Sequence, residues 1–280
     1  MLPHDELGSG PAIVLLHAGI ADRTMWTEHL EPLAAAGYRA IALDLPGFGE
    51  APIAPGEQAP WTDVLRAMDE LGLDRAAVVG NSFGGAVALR IAVVAPERVS
   101  ELALISAPAP DLEPSSELEA AWHGEEEALE RGDVDAAVDA VVRAWTLPDA
   151  PDELRSRVGA MQRRAFLLQR GAGDVNEAPD PLEENPEVLA TIEIPTLVTV
   201  GEVEFVDFET GAQRLAHAIP RSRHEVIAGA GHLAPLETPE RFRDMLLAFL
   251  AAAGSPAGRK TGMLDPWALL GGLVGVVGDR

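Results

Sequence analysis

The chain opens on a polar stretch and then settles into a rhythm of two periods. Residues 12–16 (AIVLL), 39–43 (RAIAL), 76–79 (AAVV) and 101–105 (ELALI) are short, largely apolar runs. Runs of this length with little polar alternation predict strands buried on both faces. Between them the apolar positions recur at helical spacing. Trp26, Leu30 and Leu33 share one face of a helix predicted over 24–36, and Trp61, Val64, Leu65, Met68 and Leu71 share one over 61–71. A third helix is predicted over 83–94, stopped before Pro96. Strands alternating with helices predict parallel βαβ units in a sheet covered on both sides.

The rhythm then breaks. From about residue 111 to 190 there is no strand signal, only helical stripes: Leu118, Trp122, Glu125 and Leu129; Val134, Val138, Val141 and Trp145; Leu154, Val158, Met161, Ala165 and Leu168. A polar, proline-bearing stretch over 177–187 closes this part. Strands are predicted again at 195–200 (PTLVTV) and 224–227, with helices over 207–218 and 239–250. The expected organisation is an α/β core from 1–110 and 191–250, a helical cap from 111–190, and a tail from 251–280 that is poorly ordered or docks on another surface. The tail is glycine-rich, and its apolar stretch over 267–277 is too short to cross a bilayer.

Composition narrows the function classes. The 280 residues carry 45 acidic and 21 basic side chains, a formal net charge of −24. Such a surface repels phosphate backbones and anionic membranes, so nucleic acid is not an expected partner. There is no cysteine, which excludes disulfides, thiolate metal sites and a cysteine nucleophile. The N-terminus shows no signal-peptide pattern and no apolar run reaches membrane-span length, so a cytoplasmic protein is expected.

Four short motifs carry chemistry. Gly80-Asn81-Ser82-Phe83-Gly84 stands between a predicted strand and a predicted helix. That is the context of a G-x-S-x-G nucleophile elbow, in which the serine sits on a tight turn beside a helix N-terminus rich in free N–H groups. His17-Ala18-Gly19 follows the first apolar run, where a loop can bring a second N–H towards the same oxyanion. His17 itself is expected to hold that loop by hydrogen bonds. Gly231-His232 follows the last strand, on a loop from which an imidazole can reach a serine. Glu202 and Glu204 follow the strand at 195–200. Nucleophile, acid and histidine in this chain order match the order expected of the elbow motif.

Together with Asp44-Leu45-Pro46-Gly47-Phe48-Gly49, these motifs make the chain resemble the α/β-hydrolase superfamily, and in particular its small esterase- and lactonase-like members with a helical cap. The resemblance spans residues 10–250. It implies a mostly parallel sheet with helices on both faces and a cap insertion. It also implies Ser82 as nucleophile, His232 as base, Glu204 as acid, and the N–H groups of Gly19 and Phe83 as oxyanion hole. The chain departs from the family at three places. Glu204 stands where aspartate is usual, with Asp207 as an alternative acid and Asp111 as a remote one. Ala18 replaces a glycine. The N-terminus is short, so the first strand and much of the second are expected to be missing.

The resemblance implies an acyl-enzyme mechanism on a small ester or lactone, with no cofactor and no metal. Met25, Trp122, Trp145, Met161 and Phe166 are candidates for an apolar substrate pocket. A cofactor-free C–C hydrolase, lyase or perhydrolase on the same residues remains open, as does a slow, ligand-binding relative.

Overall fold

The computed structural model describes residues 1–110, 112–172, 175–183 and 186–254. Its centre is a seven-stranded sheet in the order β1-β3-β2-β5-β6-β8-β9. In chain order the elements are β1 (His4–Gly8), β2 (Ala12–Leu16), α1 (Thr27–Ala35), β3 (Arg39–Leu43), β4 (Gly56–Gln58), α2 (Pro60–Glu70), β5 (Ala76–Asn81), α3 (Phe83–Val94) and β6 (Val99–Ile105). They continue with α4 (Ser116–Glu130), α5 (Val134–Trp145), α6 (Asp152–Arg170), β7 (Val175–Glu177), β8 (Thr196–Gly201), α7 (Val206–Ala218), β9 (Ser222–Ile227), α8 (Ala234–Glu237) and α9 (Pro239–Gly254).

Strands β5 and β8 are buried at every residue, and β2 at all but its first. A strand can be that uniformly buried only when both faces of the sheet are covered, which accounts for the apolar runs. α1 packs against β1, β3 and α9, while α3 packs against β2, β5, β6 and α2. β1 is the one antiparallel member, paired along its whole length from His4 opposite Leu43 to Gly8 opposite Arg39.

Two expectations are corrected here. The segment expected to lack most of a strand forms β1. Its residues are partly or fully exposed because it is an edge strand, so it lacks the apolar run that marks the central strands. The part expected to be purely helical contains β7, which pairs in parallel with β4 as a separate two-stranded sheet. Both are three residues long and neither is buried, so no periodicity announces them.

Register decides where the site forms. Leu16 lies opposite Gly80, Asn81 opposite Ile105, Ile105 opposite Thr199, and Gly201 opposite Ile227. The carboxyl ends of β2, β5, β6, β8 and β9 therefore finish at one edge of the sheet, and the motif-bearing loops all leave from it.

Helices α4, α5 and α6 are inserted between β6 and β8 and pack on one another in sequence. α4 is capped by Ser115 and α5 by Asp133, each accepting a backbone N–H of its first turn. Side-chain pairs dock α6 on the loop after β2 and on α1: Arg164 on buried Asp22 at 2.6 Å and Arg157 on Glu28 at 2.5 Å. α9 extends through residues 251–254, which were expected to begin the tail. The rest of that tail, including 267–277, lies outside the described residues, as does Asp111. Among the described residues no helix is long and apolar enough to cross a membrane.

Candidate active site

Ser82 occupies the turn between β5 and α3 with φ 53° and ψ −115°. A non-glycine residue with positive φ is strained, and such strain persists only where the surroundings fix it. The surroundings here are glycines. A Cβ on Gly80 would overlap the carbonyl of Gly84, and one on Gly84 would overlap the carbonyls of Leu16 and His17. Without those Cβ atoms the helix start settles directly onto the end of β2. The Gly84 N–H then donates to the His17 carbonyl at 3.0 Å, and the Ser82 N–H to that of Ile105 at 2.8 Å.

This contact brings the His17-Ala18-Gly19 loop beside the elbow. A Cβ on Gly19 would meet the Cβ of Phe83 at 3.4 Å. Phe83 opens α3, and the opening N–H groups of a helix have no intrahelical acceptor. His17 is fully buried and uses both ring nitrogens: Nδ1–H donates to the Ala18 carbonyl at 2.8 Å and Nε2 accepts the Leu45 N–H at 2.9 Å. Burial pushes its pKa below the ordinary value, against the Ala18 bond and the charges of Asp44 and Asp22. It stays neutral and holds two loops together.

The loops after β8 and β9 are joined by backbone. Val203 N–H donates to the Ala230 carbonyl at 2.8 Å, and a Cβ on Gly201 would overlap the carbonyls of Ala230 and Gly231. Glu204 and His232 are thereby brought together. His232 Nδ1–H donates to Glu204 Oε2 at 3.0 Å, and the side chains are only 4% and 2% exposed. Glu204 Oε1 accepts the Phe205 N–H at 3.0 Å, which fixes the carboxylate plane. With Nδ1–H engaged, Nε2 is the ring nitrogen left to act as a base.

Asp207 is elsewhere. It accepts the Ser115 N–H at 2.6 Å and the Ser115 hydroxyl at 2.7 Å. Slight burial opposes the shift, yet these bonds hold its carboxyl below the ordinary value. Its work is at the start of α4. The extra methylene of Glu204 spans to His232 without help from Asp207.

Ser82, His232, Gly19 and Phe83 line one cavity of about 370 Å³, together with Ile20, Ala86, Pro108, Trp122, Glu125, Trp145, Gln162 and Phe208. Trp145 and Phe208 pack on the His232 ring, each with ring centroids 4.5 Å away. Of the five pocket candidates, Trp122 and Trp145 are on this wall. Met25, Met161 and Phe166 are not. Met25 is fully buried in the core beneath the first loop, Met161 accepts the Thr24 hydroxyl at 3.4 Å, and Phe166 borders a separate cleft with Leu129 and Val134. Apolar spacing marks a helix face as buried, and most of that face packs on protein.

Four neighbours of the site were not singled out as site residues in the sequence. Asn81 fills the variable position of the elbow motif, where nothing sets it apart. Its Nδ2 donates to the Ile105 and His232 carbonyls, both at 3.1 Å, tying elbow to histidine loop. Glu237 accepts the Gly231 N–H at 2.7 Å and the Leu147 N–H at 3.1 Å, joining the histidine loop to the chain after α5. Burial pushes its carboxyl above the ordinary value despite those two bonds. Glu125 and Gln162 line the cavity itself, and of the two Glu125 carried a signal. Glu125 is a polar residue in phase with the apolar stripe of α4, and such departures are the informative ones.

A second cavity of about 460 Å³ shares Phe83 and Ala86 with the first and is lined further by Pro46, Ile53, Trp61 and Arg90. Arg90 is ion-paired with Asp180 and lies over the Trp61 ring.

Residues 11–239 match the model of the alpha/beta hydrolase fold family. The chain belongs to that family. It is 29% identical over 264 residues to a 2-hydroxy-6-oxononadienedioate/2-hydroxy-6-oxononatrienedioate hydrolase of Pseudomonas putida, covering 89% of this chain and 91% of that one. It is also 29% identical over 268 residues to a 2-hydroxy-6-oxo-6-phenylhexa-2,4-dienoate hydrolase of Comamonas testosteroni, with 89% and 91% covered. Among solved structures it resembles a thermophilic esterase of Thermogutta terrifontis at TM-score 0.73 and 26% identity, with 91% and 94% covered. An enol-lactonase of Burkholderia xenovorans LB400 shares the fold at TM-score 0.72 and 23% identity, with 89% and 96% covered. The chain is thus an α/β-fold hydrolase.

Proposed function

We propose that this protein is a serine hydrolase of small, uncharged esters or lactones, with α4–α6 as a cap over its active site. The observation that carries the reading is the buried Glu204–His232 pair, whose imidazole lines the same cavity as strained Ser82. His232 Nε2 takes the proton of Ser82 as the hydroxyl attacks the acyl carbonyl. The N–H groups of Gly19 and Phe83 receive the negative charge that develops on the carbonyl oxygen. Glu204 stabilises the imidazolium, which then protonates the departing alkoxide. Water, deprotonated by His232, attacks the acyl-enzyme and releases the acid and Ser82.

The lining of the cavity supports a neutral substrate. Among the described residues it contains no lysine or arginine, and apart from the histidine its only ionisable side chain is Glu125. A carboxylate would meet no cation there and one carboxyl group, an arrangement that rejects anions.

A second reading, hydrolysis of a C–C bond, is favoured by the Pseudomonas and Comamonas relatives, whose named substrates are carboxylates. Side-by-side turnover of p-nitrophenyl butyrate and 2-hydroxy-6-oxo-6-phenylhexa-2,4-dienoate separates the two. The ester reading expects kcat/KM for the ester to exceed that for the dienoate by roughly 100-fold or more, given like-charge rejection. The reverse preference would establish C–C hydrolysis instead.

A further inference from the structure

The wall facing Ser82 is apolar except for two side chains from the inserted helices, Glu125 of α4 and Gln162 of α6. Gln162 is 3% exposed, and its Oε1 is buried without a hydrogen-bond partner. A buried polar group without a partner costs free energy, so proteins keep few of them, and for one that borders a substrate cavity a ligand supplies an explanation. Glu125 comes from a different helix but borders the same cavity. It brings acceptor oxygens to a space that, among the described residues, holds no cationic side chain. Neither residue has a structural duty that explains it. The caps of α4 and α5 are supplied by Ser115 and Asp133, and α6 is docked through Arg157 and Arg164.

We propose that Gln162 and Glu125 form a specificity subsite for a hydrogen-bond donor on the substrate, a hydroxyl or a protonated amine placed a few bonds from the scissile carbonyl. The proposal rests on the hydrolase reading of the same cavity and adds the substituent that its substrate carries. A protonated amine there can donate to the orphan Gln162 oxygen and to a Glu125 oxygen together, whereas a hydroxyl, with its single proton, meets the Gln162 oxygen. A substrate with only methylenes at that place leaves the Gln162 oxygen buried and unmet, which is how sites that hydrogen-bond a substrate discriminate against its deoxy analogue. Trp122 and Trp145 flank the pair on the same wall and suit the remaining apolar surface of the substrate, or the face of an ammonium group.

Two matched ester pairs test this, one for each half of the substrate: p-nitrophenyl butyrate against p-nitrophenyl 3-hydroxybutyrate, and propyl butyrate against 3-hydroxypropyl butyrate. In at least one pair the hydroxylated member should be preferred in kcat/KM by roughly tenfold, the worth of one well-made hydrogen bond. The ratio should collapse towards one in Gln162→Leu and fall in Glu125→Leu. Binding to Ser82→Ala supplies a readout that needs no turnover. 3-Hydroxybutyramide should bind roughly tenfold more tightly than butyramide by calorimetry, and the Ser82→Ala/Gln162→Leu double variant should not tell them apart. Equal treatment of both pairs and of both amides by the wild-type subsite would overturn the proposal, as would a hydroxyl preference that survives both leucine variants. Selective amide binding without any ester turnover would uphold the subsite and refute the hydrolase reading. Ester turnover without selectivity would do the opposite.

Discussion

The two halves of the site are held by different physics. Around Ser82 the structure is fixed by backbone: Gly84 on the His17 carbonyl, Ser82 on Ile105, Val203 on Ala230, with glycines where chains meet too closely for a Cβ. The helical insertion that covers the same cavity is held by side chains instead. Arg164 meets Asp22, Arg157 meets Glu28, Asp207 meets Ser115, and Trp145 lies on His232. Backbone contacts of the first kind tolerate no substitution but place atoms precisely. Side-chain contacts of the second kind can be exchanged singly at small cost. Under the proposed function the chemistry falls to the backbone-held half and the choice of substrate to the helical insertion, a division that lets one fold serve many substrates.

The largest effect that sharpens this contrast is on turnover. Glu204→Gln removes the charge that stabilises the His232 imidazolium and allows the wrong tautomer, and should lower kcat by about 10⁴-fold with folding intact. Asp207→Asn, read in the same assay, should stay within a few-fold of wild type and lower thermal stability through its loss of Ser115. An inactive Asp207→Asn beside an active Glu204→Gln would exchange their roles.

Next is the backbone itself. Gly84→Ala drives a methyl group into the carbonyls of Leu16 and His17 and should cost about 3 kcal/mol or more in urea unfolding. A cost below about 1 kcal/mol would show that the elbow yields as readily as the cap.

The pH dependence should also separate the halves. His17 and His29 are held below their ordinary pKa of 6.5, chiefly by burial, and both belong to the core half. Above pH 6.5 they are neutral whether the chain is folded or not. As pH falls below 6.5 the unfolded chain takes up protons that the folded one refuses, so stability is lost by up to about 1.4 kcal/mol per pH unit for each group. Unfolding free energy measured from pH 7.5 to 5.5 should fall, and less steeply in His17→Gln.

Smallest is the cap. Arg157→Ala removes an ion pair with a half-exposed partner, Glu28, and should cost within about 1 kcal/mol. A loss as large as that of Gly84→Ala would erase the distinction between the halves.

Legibility in the sequence follows the same divide. The central strands could be read because burial on both faces turns them into apolar runs. Ser82, His232 and Glu204 could be placed because each follows such a run in a fixed order. β1 escaped because an edge strand with exposed residues has no such run, and β4 and β7 because a three-residue exposed pair has no period at all. On the inserted helices, spacing showed which faces are buried, which marked Trp122 and Trp145 at the cavity but equally marked Met161 and Phe166 away from it. Periodicity cannot say whether a buried face meets protein or a cavity. The polar residue in an apolar stripe, Glu125, was the clue that could. Asn81 and Glu237 act through backbone partners distant in sequence, and no local pattern records those.

The central claim is that Ser82 is an activated nucleophile. Treatment of the folded protein with a fluorophosphonate, followed by peptide mass spectrometry, tests it most directly. A single adduct is expected on Ser82, absent from Ser82→Ala and formed far more slowly in His232→Ala. A folded wild-type protein that takes no label, or a Ser82→Ala variant labelled as fast as wild type, would contradict it.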